Sequence, residues 1–289
     1  MPGTLFVVAT PIGNLEDITA RALRVLRQVA LIAAEDTRRT GHLLARYAIT
    51  TPTTSFHEHN EAAKIRSVMA RLERGDEVAL VSDAGTPTIS DPGQRLVRAA
   101  IDAGIRVEPI PGASAAVTAL AASGIAGQSF TFLGFPPSKG KDREAWMTEL
   151  RNAGRTVVFY EAPHRIKETL SQIARLVGNR QVAVGRELTK THEEFVRGPI
   201  NTVIDELHNI LGEFTVVIDI GQTTDIEPVE PPTDSEIADL FGQMTIVSGL
   251  PRRRVINQIA KRYGIPPNQI YDTIERVKRL GVTTEKTRP

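Results

Sequence analysis

Residues 78–97 read VALVSDAGTPTISDPGQRLV, and the order of their chemistry decides the fold. Val78, Ala79, Leu80 and Val81 form an apolar run with no polar alternation, which suits a strand covered on both faces and therefore a parallel sheet between two layers of helices. The run ends in Ser82 and the carboxylate of Asp83. A Gly-Thr-Pro turn follows, and Asp91 and Pro92 are the residue types expected at the N-cap and first position of a helix. Gly and Pro punctuate ordinary turns everywhere. Here, however, the loop is long for a plain connection, and a carboxylate stands at the carboxyl end of a central strand, where open α/β sheets bind ligands.

The same alternation extends outward. Residues 5–9, 31–34 and 106–110 are further short β-rich runs, separated by amphipathic segments at 19–28 and 62–74. This rhythm predicts βαβ units, and so an α/β fold with an N-terminal open parallel sheet carrying helices on both faces. A second unit starts near Phe130 with FTFLGF, a helix over 143–151, TVVFYE, a helix from Pro163, then QVAVGREL and FTVVIDI, with EEFVRGPI expected to fold back as a hairpin. That predicts a mixed sheet with helices, with residues 125–129 as the junction. The Pro-bearing IEPVEPPTD reads as a linker. Two amphipathic helices around a YGIPP turn then form a small helical C-terminal module. The expected divisions are 1–124, 125–221, an acidic linker and start of the tail at 222–244, and a basic module at 245–289.

The chain has 289 residues and a net charge of +1, which hides a marked asymmetry. Residues 222–244 carry six acidic and no basic side chains, whereas 245–289 carry ten Lys or Arg against three Asp or Glu. Attraction to a polyanion should concentrate in that tail. The absence of cysteine removes disulfides, thiolate metal sites and thiol nucleophiles, and fits a reducing cytoplasmic setting. The apolar run 5–9 is too short to span a bilayer and has no basic residue before it, so it reads as a strand, and no membrane association is expected.

Two more turns at strand ends resemble the one after Val81. VATPIGNLEDITARAL contributes Pro11, Ile12 and Gly13; VEPIPGASAAVTAL contributes Gly112 to Ala115, where small residues at a helix start allow close approach to backbone amides. Taken alone, the second is better explained by close packing of helix on strand. Together the three turns converge on a pocket whose ligand is narrowed by what is missing. No GxGxxG follows the first strand, which disfavours a dinucleotide. LGFPPSKGKDRE misses the phosphate-loop pattern, with five residues between Gly134 and Gly140 and Asp142 where a hydroxyl is needed. A ligand with a carboxylate, an ammonium and ribose hydroxyls but no phosphate suits backbone amides plus Asp83; S-adenosylmethionine is such a ligand.

Other charged clusters have competing readings. AEDTRRTGHLL gathers Glu35, Asp36, Arg38 and Arg39; SFHEHNE gathers His57, Glu58, His59 and Glu61. The His-x-His pair with carboxylates has metal-ligand chemistry, but the adjoining helix explains the acids as a favourable first turn, so no metal is expected. FYEAPHRI sets an acid and a base around a Pro-started helix, and GRELTKTHEE offers Arg186, Glu187, Lys190 and His192; a solvated, ion-paired hairpin is the commoner fate of such charge runs.

At these residues the chain resembles the tetrapyrrole methylase superfamily, and within it the small-subunit ribosomal RNA methyltransferase I family. VATPIGNLEDIT, AEDTRRTGHLL, SFHEHNE, VALVSDAGTPTISDPG, PIPGASAAVTAL, LGFPP and FYEAPHRI carry the resemblance over most of residues 1–221. It implies a two-domain tetrapyrrole-methylase-like fold with S-adenosylmethionine in the cleft, 2′-O-methylation of a cytidine in 16S ribosomal RNA, a small-ribosomal-subunit partner and a homodimer. It also implies that Pro11, Ile12, Asp83, Thr86, Ser114 and Ala115 touch the cofactor, with Tyr160 nearby. The superfamily's Gly-rich first loop appears here as ATPIGN. Glu35, Asp36 and Lys190 are the catalytic candidates, because a sugar hydroxyl needs a base or a neighbouring cation. Arg38, His57, Arg165, Arg186, Arg252, Arg253 and Arg254 are the candidate RNA contacts. Two rival functions stay open: carbon methylation of a tetrapyrrole, and a noncatalytic RNA-binding scaffold, which would show no saturable affinity for the cofactor.

Overall fold

A computed structural model describes residues 1–125, 129–221, 233–248, 251–263 and 266–279. The chain divides into two compact units, 1–223 and 224–289.

The first unit holds two five-stranded sheets. One is wholly parallel, in the order β3-β2-β4-β1-β5, from β1 (Thr4–Val8), β2 (Leu31–Ala34), β3 (Thr53–Ser55), β4 (Val78–Val81) and β5 (Arg106–Ile110). Successive strand residues face opposite sides, and both sides are covered. Ile32, Ala34, Ala79 and Val81 pack with Val25 and Leu26 of α1 (Ala20–Gln28) and Leu44 of α2 (Thr37–Arg46). Leu31, Ala33, Val78 and Leu80 pack with Leu72 of α3 (Glu61–Glu73) and Leu96 of α4 (Gln94–Asp102). Each fully buried Leu, Ile or Val contributes roughly 1.5–3 kcal/mol, so burial on both faces explains the unbroken apolar run in β4. Thr19 starts α1, accepting the Ala22 amide at 3.1 Å as an N-cap.

Helix α4 departs from the sequence expectation. It begins at Gln94, not after an Asp91 cap, and its N-cap is Gly93 in the left-handed region at φ 118°. The Gly93 amide donates to Glu61 Oε1 at 3.2 Å, so a carboxylate from another helix takes the capping role. Asp91 and Pro92 remain in the loop, which frees the Asp91 side chain.

The second sheet, β6-β7-β10-β8-β9, comprises β6 (Phe130–Phe132), β7 (Thr156–Glu161), β8 (Gln181–Arg186), β9 (Glu194–Pro199) and β10 (Phe214–Asp219). It is mixed: β6 and β7 run parallel, and the other pairs antiparallel, with β8 and β9 forming the expected hairpin. One face carries α6 (Gly140–Asn152), α7 (Ile166–Val177) and α8 (Ile200–Glu206) over Val157, Phe159, Val216 and Ile218. The other face carries α5 (Ala115–Ala122), whose Ala116 and Ala119 pack with Val158, Ala183 and Val217. Helix α5 follows the last strand of the first sheet yet packs on the second. The expected junction lies partly outside the described residues.

The second unit contains α9 (Asp234–Ser248), α10 (Arg252–Tyr263) and α11 (Pro267–Arg279) around Phe241, Val255, Ile259 and Ile270. Helix α9 occupies part of the stretch read as a linker. Thr233 and Glu236 form a capping box: Thr233 Oγ1 accepts the Glu236 amide at 3.3 Å and Glu236 Oε2 accepts the Thr233 amide at 2.8 Å. The rest of IEPVEPPTD and the centre of the YGIPP turn lie outside the described residues.

Candidate active site

Strands β4, β1 and β5 are neighbours, so the turns at their carboxyl ends meet side by side. Thr10 and Gly85 exchange backbone hydrogen bonds at 2.9 and 3.0 Å, joining the first turn to the DAGTP loop. Thr86 Oγ1 donates to the Ala113 carbonyl at 3.3 Å, joining that loop to the third turn. Gly85 has φ 82°, a conformation costly for any side chain, and this lets the loop double back on Thr10. The first turn also meets the second sheet, where Thr189 Oγ1 accepts the Asn14 amide at 2.9 Å.

These turns form one side of a pocket of about 460 Å³, and residues of the second sheet form the other. Ile12, Asp83, Thr86, Ser114, Ala115 and Tyr160 all line it, as does Glu35. Pro11, though in the same turn as Ile12, is not part of the lining. Tyr160 sits edge-on to Phe132, with ring centres 5.0 Å apart, and its hydroxyl is pushed above its ordinary pKa by burial, against a hydrogen bond from the Ala116 backbone.

Five carboxylates share the lining: Glu35, Asp83 and Asp91 from the first sheet and its loops, and Glu161 and Glu213 from the second. Burial raises the Glu35 pKa; the Asp83 amide opposes the shift and the Asp83 charge adds to it. Burial likewise pushes Asp91 up to about 6, against a hydrogen bond to Ser82 and with repulsion from Glu35 and Asp83. Arg39, whose Nη1 stands 3.6 Å from Asp83 Oδ2, is the basic side chain in the lining. The pocket wall is therefore negative overall.

The remaining sequence candidates have different settings and are not part of this lining. Asp36 is a helix cap, accepting the Arg38 amide at 2.8 Å, and its ion pair with the Arg38 guanidinium holds it well below the usual carboxylate range. Lys190 Nζ reaches Glu187 and Glu213, each at 2.9 Å; burial lowers its pKa, but the bonds to those two carboxylates outweigh this and the net shift is upward. Glu213 itself lines the pocket. Arg186 is buried and holds the second sheet together through Glu194 Oε2 at 2.9 Å and the Leu211 and His192 carbonyls. Arg165 pairs with Glu161 at 2.7 Å and donates to the Pro136 carbonyl. His57 is fixed by Asn60, whose Oδ1 accepts the His57 amide while its Nδ2 faces His57 Nε2 at 3.0 Å. Which group donates in that contact follows from the imidazole's tautomer. His59 lies edge-on to His57, and Glu61 is committed to Gly93. In the second unit Arg252, Arg253 and Arg254 are all exposed, and Arg252 bonds Glu275 and lies over the rings of Phe241 and Tyr271.

Asp91, Glu161 and Phe135 also line the pocket and escaped the sequence reading. Asp91 was hidden by its resemblance to a helix cap; Gly93 two residues on was the contrary signal. Glu161 obeys the rule that singled out Asp83, a carboxylate at the end of an apolar strand.

Two facing sheets joined by α5, with a carboxylate-rich pocket at the strand ends, match a known architecture. Residues 4–204 match the family described as Tetrapyrrole (Corrin/Porphyrin) Methylases. Among solved structures, a cobalt-precorrin-4 methyltransferase of cobalamin biosynthesis has a TM-score of 0.59 at 16% identity, covering 75% of this chain and 94% of that one. A diphthine synthase has 0.61 at 12% identity, covering 75% and 90%. At these identities the likeness concerns the fold. Curated proteins called ribosomal RNA small subunit methyltransferase I are 45% identical in Halalkalibacterium halodurans, over 93% of this chain and 94% of that protein, and 44% identical in Bacillus subtilis, over 93% of each. The chain belongs to the tetrapyrrole methylase family, in the branch formed by these ribosomal RNA small subunit methyltransferase I proteins.

Proposed function

We propose that the chain uses S-adenosylmethionine to methylate the 2′-hydroxyl of a cytidine ribose in 16S ribosomal RNA, with the small ribosomal subunit as its partner. The names of its relatives support the RNA acceptor. The fold alone is neutral on this point, since fold neighbours include both a precorrin methyltransferase and a diphthine synthase. A cytoplasmic homodimer, with residues 1–124 and 125–221 as its two α/β domains and S-adenosylmethionine between them, completes the proposal. Among the described residues, no helix is long and apolar enough to cross a membrane.

The observation that carries the cofactor is the charge of the pocket: Glu35, Asp83 and Asp91 face a volume of ligand size with Arg39 as the basic side chain in its lining. Such a wall attracts a cation and repels phosphate. Ser114 makes no side-chain cap to α5, leaving the helix start available to a carboxylate. These groups fit the sulfonium, ammonium and carboxylate of S-adenosylmethionine, which when bound supplies an electrophilic methyl carbon. Among the catalytic candidates, Glu35 combines a place in the pocket with a raised pKa, so it can accept the acceptor's proton more readily than Asp36, whose basicity Arg38 suppresses. Lys190 keeps its proton and serves as a cation beside a developing alkoxide. Holding the reacting groups in line removes much of the entropic barrier.

The test is methyl transfer to small subunits from cells lacking this protein, with the modified nucleotide mapped, alongside calorimetry with S-adenosylmethionine. A methylated base carbon or nitrogen, or no transfer at all, would overturn the proposal.

A further inference from the structure

Phe135 is a large aromatic side chain in the pocket lining that nonetheless remains 54% exposed, and Ile89, also in the lining, is 47% exposed. They come from loops of the two different sheets. These loops approach closely: a side chain added at Gly134 would stand 3.4 Å from Ser90 Oγ. Phe135 is also backed by Tyr160, ring centres 5.3 Å apart.

The Phe135 loop is pinned from beneath by a buried polar network. Glu161, with a fully buried side chain, takes the Thr169 hydroxyl at 2.6 Å and pairs with Arg165 at 2.7 Å. Arg165 donates to the Pro136 carbonyl at 3.1 Å, and Arg143 donates to the Pro137 carbonyl and to Thr169 Oγ1, both at 2.9 Å. Two guanidinium groups thus hold the two residues after Phe135. An exposed apolar ring held this firmly is presented to the same pocket that Arg39 lines, where Arg39 stands against Asp83.

We infer that Phe135, with Ile89, is a stacking platform for the nucleobase of a nucleotide extruded from RNA into the pocket mouth. This rests on the RNA acceptor proposed above and names how it is held. A nucleotide drawn into a pocket leaves the stack of its neighbours, and an aromatic face compensates for the stacking given up. Glu161, Arg165 and Arg143 act through Phe135 as positioning residues.

The test compares Phe135→Ala, Phe135→Leu, Phe135→Tyr and Phe135→Trp in the full chain. Loss of the ring should lower kcat/KM for small subunits roughly 5- to 100-fold, the range of a base–aromatic stack. Calorimetric affinity for S-adenosylmethionine should stay within about twofold, and Tyr should restore transfer where Leu does not. Independently of turnover, the Phe135→Trp emission should be quenched by a short cytidine-containing single-stranded RNA. The native Trp146 is buried and supplies the background. If the wild type transfers no methyl group to RNA, the proposed function fails, but the platform is still judged by quenching. An unquenched Trp, rescue by Leu as good as by Tyr, or a loss of cofactor affinity as large as the loss of transfer would each overturn it.

Discussion

Glu35 and Asp83 end neighbouring strands and brace each other: the Asp83 amide donates to Glu35 Oε2 at 3.2 Å, and Asp83 Oδ1 accepts the Asp36 amide at 2.9 Å. The backbone amides hold two like charges at one wall of the pocket, and Arg39 offsets part of their repulsion. A cationic ligand would relieve the rest. The wall is therefore arranged for a positive guest before any guest arrives.

The first prediction follows from that brace. Asp83→Asn keeps an acceptor for the Asp36 amide but removes the charge, and should weaken S-adenosylmethionine binding by about 1.5–3 kcal/mol, the worth of a charge-assisted hydrogen bond. Asp83→Ala, which also loses the acceptor, should be weaker still. Calorimetry on folded variants decides; wild-type affinity in Asp83→Asn would remove this carboxylate from the ligand.

Asp91 makes the pocket sensitive to pH. Its folded pKa of about 6 lies above its ordinary 3.8, so the folded state binds more protons than the unfolded state across that interval. Its contribution to stability is therefore fully present below the unfolded value and is lost as pH rises through about 6. Asp91→Asn should flatten that part of the profile in denaturant titrations of the ligand-free protein. Binding of a cation has the opposite sense, because it needs the ionised carboxylate: S-adenosylmethionine affinity should fall as pH drops through about 6. An affinity that does not change with acidification would show that Asp91 does not face the cation.

The strand-end logic made Asp83 and the three converging turns readable, because periodicity fixes which strands are buried and chemistry marks their ends. What stayed hidden depends on contacts distant in sequence. Nothing in SFHEHNE announces that Glu61 reaches Gly93 and thereby releases Asp91 from its expected capping role. The buried role of Arg186 was equally obscure, since its partners, Glu194 and the carbonyls of His192 and Leu211, are brought together only by the hairpin and the loop before β10. The packing of α5 on the second sheet is a tertiary choice, and its Ala-rich sequence would suit either sheet.

Two glycines test the backbone argument with opposite signs. Gly93→Ala forces a side chain into φ 118° and within 2.5 Å of Leu80 Cδ2, and should cost roughly 1–3 kcal/mol. Gly41, inside α2 with open space where a side chain would stand, should gain about 0.5–1 kcal/mol on change to Ala. Chemical denaturation measures both, and equal effects would contradict the geometry.

Lys190 should act as a permanent cation, because its pKa is raised. Lys190→Arg should then keep much of the turnover that Lys190→Met loses. In the wild type, kcat should show no inflection from this residue at neutral or mildly alkaline pH. A rise in kcat that tracks deprotonation near neutrality and vanishes in Lys190→Arg would instead make it the base.

The last prediction concerns the three arginines that open α10, which the sequence presents as equivalent and the structure does not. Arg252 is bonded to Glu275 and lies over Phe241 and Tyr271, with its guanidinium carbon 5.6 and 5.3 Å from the two ring centres. It holds the three helices together, so Arg252→Ala should lower the stability of the module. Arg253 and Arg254 are exposed and available to phosphates. Each phosphate neutralised on a single strand contributes about 0.7 to the slope of log K against log salt. Replacing both by Ala should therefore flatten the slope by roughly 1.4, with cofactor affinity unchanged. Salt titrations of small-subunit binding by wild type, Arg252→Ala and the double variant separate the roles. If the double variant keeps the wild-type slope, the exposed arginines do not touch RNA, and the basic charge of this module serves only its own solvation.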